Sequence, residues 1–157
     1  MRSAPAVAVA LLLAGCLSAP APRDALGAPI MQAAVALIGT PYRFGGADAA
    51  GFDCSGLALY VHERQGLSIP RTAAAQQRAA QPVALHRLAP GDLVFFSLHA
   101  HGVDHVGVYA GGARFVHAPR AGTAVAYADL SAGGFYARHL VSAGRFWHSA
   151  PGSASPQ

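Results

Sequence analysis

Cys54, His105 and His117 are the residues of this chain best suited to chemistry. Cys54 lies in Gly51-Phe52-Asp53-Cys54-Ser55-Gly56. The two histidines follow on strand-like segments, Asp104-His105-Val106-Gly107-Val108-Tyr109 and Phe115-Val116-His117-Ala118. A thiol and two imidazoles supply a nucleophile, a base and an orienting group for covalent catalysis. Cys54 follows an acidic N-cap and opens a helical pattern. Unpaired N–H groups and the dipole at a helix start stabilise a thiolate, so a lowered thiol pKa is expected. Asp53 is read as the cap and not as a charge partner, because a carboxylate beside the nucleophile would raise its pKa. The Cys54 backbone N–H, at the helix start, is the expected oxyanion donor.

The elements that must position these groups change period halfway along the chain. Pro29 to Ile38 reads as a helix closed by Gly39, with Ile30, Ala33-Ala34 and Leu37-Ile38 on one face. Thr40 to Asp48 is a Gly-containing loop. Asp53 caps a second helix, Cys54 to Gln65, stopped by Gly66, with Leu57, Tyr60-Val61 and Arg64 on one face. Thr72 caps a short third helix to Ala80. Pro90-Gly91-Asp92 then turns into an apolar strand, Leu93 to Phe96. His105 to Ala110 and Arg114 to Ala118 form a hairpin across Gly111-Gly112. Val125 to Ala128 and Leu140 to Phe146 are weaker strands. Helices first and strands afterwards predict an α+β domain with an antiparallel sheet.

Hairpin parity sets a geometric condition. A two-residue loop at Gly111-Gly112 would pair Val106 with His117 and put the two histidines on opposite faces. Joint chemistry needs one extra residue, as a three-residue loop or a bulge. Ala110 would then face Arg114 and His117 would face Gly107, leaving His105 diagonal to His117. Gly107, lacking a side chain, would keep that space open.

With 157 residues, the chain has room for one domain with a real core. Residues 1–15 read as a leader, with Arg2 before an apolar run from Ala4 to Leu13 that is too short to span a membrane. It ends in Leu13-Ala14-Gly15-Cys16, which resembles a bacterial lipobox and implies a lipid on Cys16 and a membrane attachment. Leu17 is not an Asp retention signal, so the periplasmic face of an outer membrane is expected. Residues 16–28 are an Ala/Pro tether, 29–148 the catalytic domain, and 149–157 a Pro/Ser/Gly tail expected to be disordered. Once Cys16 is set aside, Cys54 is a lone thiol in an exported chain, where cysteines are usually paired or absent. The formal charge is +4 and every basic residue is Arg. The arginines are scattered singly, which excludes a nucleic-acid footprint and a Lys nucleophile or base. His99, His101, Asp104 and His105 gather in sequence as a possible imidazole metal site, but a cysteine nucleophile needs no metal and no cofactor is expected. That loop is also placed to border a cleft.

Five linked motifs carry a family resemblance: Thr40-Pro41-Tyr42-Arg43-Phe44-Gly45-Gly46, Phe52-Asp53-Cys54-Ser55-Gly56, Pro90-Gly91-Asp92-Leu93-Val94-Phe95-Phe96, His105-Val106-Gly107-Val108-Tyr109 and Phe115-Val116-His117-Ala118. In order and spacing they resemble the NlpC/P60 cysteine peptidases over about 120 residues. Leu67-Ser68-Ile69-Pro70-Arg71-Thr72 and Gln76-Gln77 are similar to its short single-domain lipoprotein endopeptidases. The resemblance implies a papain-like fold and a monomer. It implies hydrolysis of peptidoglycan stem peptides at meso-diaminopimelate by a Cys54-His105-His117 triad. Either the D-Ala–diaminopimelate cross-link or the γ-D-Glu–diaminopimelate bond fits. It also implies that Tyr42 adds its hydroxyl to the oxyanion site. Ser55 is placed to meet a substrate amine or carboxylate, or else is a helix-surface hydroxyl. Arg71 is placed to meet a stem-peptide carboxylate, or else is a solvated surface charge. An amidase or acyltransferase of the same fold, or an inactive wall-binding lipoprotein, is the competing expectation.

Overall fold

The computed structural model describes residues 26–99 and 101–147. The expected leader, the lipobox at Cys16, most of the tether and the tail lie outside them.

Three helices come first. α1 spans Gly27–Ala36, α2 Cys54–Glu63 and α3 Ala73–Ala79, with the two-residue strands β1 (Ala47–Asp48) and β2 (Gly51–Phe52) between α1 and α2. Then follow β3 (Gln81–Val83), a 3₁₀ turn at Leu85–Arg87, β4 (Leu93–Phe96), β5 (His105–Gly111), β6 (Arg114–His117), β7 (Ala126–Asp129), α4 (Phe135–His139) and β8 (Leu140–Arg145). The last six strands form one antiparallel sheet in the order β3-β8-β4-β5-β6-β7. The chain is therefore α+β with an antiparallel sheet.

α1 begins two residues earlier than Pro29 suggests. Ile30 N bonds Leu26 O at 3.0 Å, so Pro29 sits inside the first turn, where its missing N–H leaves no bond unmade. Leu26 joins the core, and Gly27 packs so tightly that an added Cβ would lie 2.5 Å from Pro90 O. The expected tether therefore ends inside the fold. α2 is capped as expected, Asp53 Oδ1 accepting from Gly56 N at 2.7 Å. Its buried face is Leu57, Ala58, Val61 and His62, with Arg64 exposed, a rotation of the expected stripe. The helix ends at Glu63, and Gly66 at φ +74° makes the reversal.

β4 explains the two-sided core. All four of its residues are buried. Leu93 and Phe95 join Ile30, Leu57, Val61, Val106 and Val108 under the helices, whereas Val94 and Phe96 join Phe115 and Ala143 on the other face, beside Tyr136 of α4. A fully buried phenylalanine of this kind contributes about 1.5–3 kcal/mol. Asp92, also fully buried, accepts from Arg145 Nε at 2.5 Å and Nη2 at 2.7 Å, tying the start of β4 to the end of β8.

The hairpin contains the extra residue that parity demanded. Val108 pairs with Val116 and Tyr109 with Phe115, but Gly111 pairs with Arg114, so Ala110 is bulged out. The expected pairing of Ala110 with Arg114 is thus replaced by Gly111 with Arg114. The turn residues are Gly112 (φ +58°) and Ala113 (φ +56°), both left-handed as a type I′ turn requires. Beyond the bulge the register runs on to set His117 opposite Gly107. The space over Gly107 is not open. An added Cβ there would sit 2.3 Å from Phe115 Cδ2, so Gly107 makes room for that ring.

Candidate active site

α2 delivers Cys54 to the start of β5. Its first turn is docked on the preceding loop: Asp53 N bonds Gly46 O at 3.0 Å, and a Cβ on Gly56 would lie 1.9 Å from that same oxygen. The buried Gln76 of α3 ties the turn from the other side, its Nε2 donating to Ser55 O at 3.0 Å and to Pro70 O at 2.8 Å. The thiol meets β5 edge-on. Tyr109 N faces β4, bonding Asp92 O at 2.7 Å. Amide directions alternate along a strand, so Val106 N faces the side that β6 vacates after His117. That amide lies near enough to the Cys54 sulfur to favour its charged form, as do the amides of Ser55 and Cys54 itself.

His105, one residue before Val106, lines the same cleft of about 290 Å³ as Cys54, with Tyr42, Phe44, Leu98, His99, Asp104 and the 119–121 turn. His105 Nε2 lies 2.8 Å from His117 Nδ1, with the rings at 86°. Both imidazoles are buried, 5% and 3% exposed. They lie on the sheet face away from α1 and α2, among Phe96, Phe115 and Tyr136. The Tyr136 ring meets His117 edge-on at 5.2 Å and stacks near His105 at 6.4 Å. With Nε2 engaged by His117, Nδ1 is the remaining nitrogen of the His105 ring.

Electrostatics overturn one expectation. Burial pushes the Cys54 thiol above its ordinary pKa, and Asp53 pushes the same way. The amides of Val106, Ser55 and Cys54 oppose this without cancelling it. Burial thus works against the thiolate that the helix start was expected to favour. Burial also lowers His105 to about 4 and, with the repulsion of His105, His117 to about 3. Two imidazoles this close accept one proton between them. Burial thus disfavours charge on both the thiol and the imidazole.

Asp53, Ser55 and Arg71 form one network. Arg71 donates to Asp53 Oδ2 at 2.6 Å and Oδ1 at 3.0 Å, and to Ser55 Oγ at 3.0 Å. Ser55 Oγ donates to Asp53 Oδ1 at 3.3 Å. Ser55 is 7% exposed, so it is no helix-surface hydroxyl, and Arg71 is no free solvated charge. Burial raises the Asp53 carboxyl, but Arg71 and Gly56 together hold it below the usual carboxylate range. Tyr42 is half-buried. Burial, then the charges of Cys54 and Asp53, raise its phenol, which stays a donor at neutral pH. His99 Nδ1 pairs with Asp104 Oδ2 at 3.0 Å. Among the described residues no three His, Cys, Asp or Glu side chains gather to hold a metal ion.

Sequence reasoning missed Tyr136, the tether role of Gln76 and the buried His62. Only a spacing of aromatic residues around Gly133-Gly134 could have suggested the first. Nothing local signals the others.

The chain is 44% identical over 95 residues to the γ-DL-glutamyl hydrolase of Bacillus subtilis, covering 59% of this chain and 23% of that protein. It is 43% identical over 113 residues to the murein DD-endopeptidase MepH of Escherichia coli, covering 69% and 41%. The chain thus spans less than half the length of these relatives. The solved NlpC/p60 domain of the peptidoglycan hydrolase SagA superposes with a TM-score of 0.66 at 33% identity, covering 76% of this chain and 97% of that one. The model of the NlpC/P60 family matches residues 39–145, the stretch that carries the thiol, both imidazoles and the loops around them, and the chain belongs to that family.

Proposed function

We propose that this chain is a peptidoglycan endopeptidase that cuts stem-peptide or cross-link bonds at meso-diaminopimelate with Cys54, His105 and His117. The observation that carries the reading is the 2.8 Å contact between His105 Nε2 and His117 Nδ1 beside the Cys54 thiol. The murein endopeptidase MepH and the peptidoglycan hydrolase SagA, both similar to this chain, supply the substrate class.

The steps follow from the atoms. Cys54 Sγ attacks the carbonyl carbon while its proton passes to His105 Nδ1. His117 Nδ1 accepts from His105 Nε2–H. This fixes the tautomer that leaves Nδ1 bare and takes up part of the imidazolium charge. The oxyanion is met by the Cys54 N–H and the Tyr42 hydroxyl. His105 protonates the leaving amine as the C–N bond breaks. It then takes a proton from water, which attacks the thioester and frees the acid and Cys54. The Asp53–Ser55–Arg71 network, next to the nucleophile, is the proposed partner of the substrate's amine or carboxylate.

A lipid anchor at Cys16 belongs to the same proposal, resting on Leu13-Ala14-Gly15-Cys16. It would hold a monomeric enzyme on the periplasmic face of an outer membrane, tethered through residues 17–25. Mass spectrometry of muropeptides after digestion tests the activity. New peptide ends at diaminopimelate, absent with Cys54→Ala, are expected; uncut peptides or cut glycan would overturn it.

A further inference from the structure

We propose that Arg120 binds a carboxylate of the substrate peptide beside the scissile bond, so that the cleft selects acid over amidated stem peptides. The inference rests on the peptidase reading above and names the specificity of that same site.

The cleft holding Cys54 and His105 is lined on its β6–β7 side by Pro119, Arg120 and Ala121. Its other charges are spent. Asp104 is held by Leu98 N at 2.8 Å, His99 N at 2.9 Å and the His99 ring. The nearby Asp53 is spent on Arg71. The exposed Arg120 guanidinium has no hydrogen bond or ion pair among the described residues, so the cleft wall carries one uncompensated positive charge.

The backbone beneath it is built rather than loose. Thr123 Oγ1 donates to Arg120 O at 2.6 Å and accepts from Arg120 N at 3.3 Å. Tyr42 N in turn bonds Thr123 O at 2.9 Å, and Pro41 bridges Ala124. The arginine turn is thereby tied to the loop that carries Tyr42 and Phe44 on the same cleft. The guanidinium also lies close enough to Tyr136 for its charge to be felt there, on the side where His117 sits. A planar fork of donors carried on that anchored backbone suits a carboxylate better than a carboxamide.

Two carboxylates flank the proposed bonds, that of D-Glu and that of diaminopimelate. Synthetic stem peptides with free acid or amide at each position separate them. With Arg120→Gln, kcat/KM for the free-acid peptide should fall about tenfold or more through KM, while the peptide amidated at the recognised position is cut equally by both proteins. Arg120→Lys should recover part of the loss, and the melting temperature should not move. An acid-to-amide ratio unchanged by Arg120→Gln at both positions overturns the proposal. If the unaltered protein cuts no peptide, the peptidase reading has failed on its own. The carboxylate claim is then decided by calorimetric binding of the same peptides to Cys54→Ala, where an absent or Arg120-independent preference for the acid overturns it.

Discussion

His117 meets His105 at 2.8 Å because Ala110 is bulged out of the hairpin that joins their strands. One residue thus converts a pair that a regular turn would place on opposite faces into a hydrogen-bonded pair on one face. Deleting Ala110 should restore a plain two-residue turn across Gly112 and Ala113. The expected outcome is loss of turnover with the far-UV circular dichroism of the sheet retained. A deletion variant that keeps both the fold and the activity would show that His117 has no part in catalysis.

If His117 only holds the tautomer of His105, its loss should act on kcat more than on KM. His117→Ala should lower kcat by about a hundredfold or more, within the range for general acid–base assistance. His117→Asn, which still offers a carbonyl acceptor, should recover part of it. Steady-state kinetics with the two variants tests this, and an equal effect of both on KM alone would point to packing.

Much of this arrangement is legible along the chain. The cap at Asp53, the thiol at the first position of α2 and the strand-borne histidines are local patterns, and parity alone demanded an extra residue in the hairpin. What escapes is non-local. Arg71 reaches Asp53 across 18 positions in sequence, so its commitment to the cap cannot be read from either segment. α4 has no side-chain cap at Gly134, leaving the helix that carries Tyr136 without a start signal. β3 contains Pro82, which reads as a break but sits harmlessly on an edge strand. The sign of the thiol shift also depends on burial, which only the assembled fold sets.

That sign has a direct test. Burial holds the Cys54 thiol above its ordinary pKa and lowers His105 to about 4, and both shifts oppose a thiolate–imidazolium pair at neutral pH. Alkylation of the free protein by iodoacetamide should be slow at pH 7 and accelerate into the alkaline range, without a plateau below neutrality. Thiolate absorbance near 240 nm should be absent at pH 7. A reactive plateau at pH 5–7 would mean that the helix end dominates after all.

The buried histidines also predict where the fold yields to acid. His62, His105 and His117 are all nearly inaccessible, and burial lowers their pKa values to about 4, 4 and 3. The unfolded chain protonates each near pH 6.5, so between there and the folded values it binds more protons than the native state. The stability is complete above pH 6.5 and is lost as pH falls toward 4, with a slope approaching about 4 kcal/mol per pH unit for three groups. His62 takes no part in the site. Its Nδ1 donates to Ala58 O at 2.8 Å, while its Nε2 is buried without a partner. Replacing it by leucine removes one titrating group and one unsatisfied atom. Urea unfolding of His62→Leu at pH 7 and pH 5 should show a shallower loss, by about a third of the slope, with peptidase activity kept. An unchanged pH slope would mean that His62 is already accessible to protons in the native state.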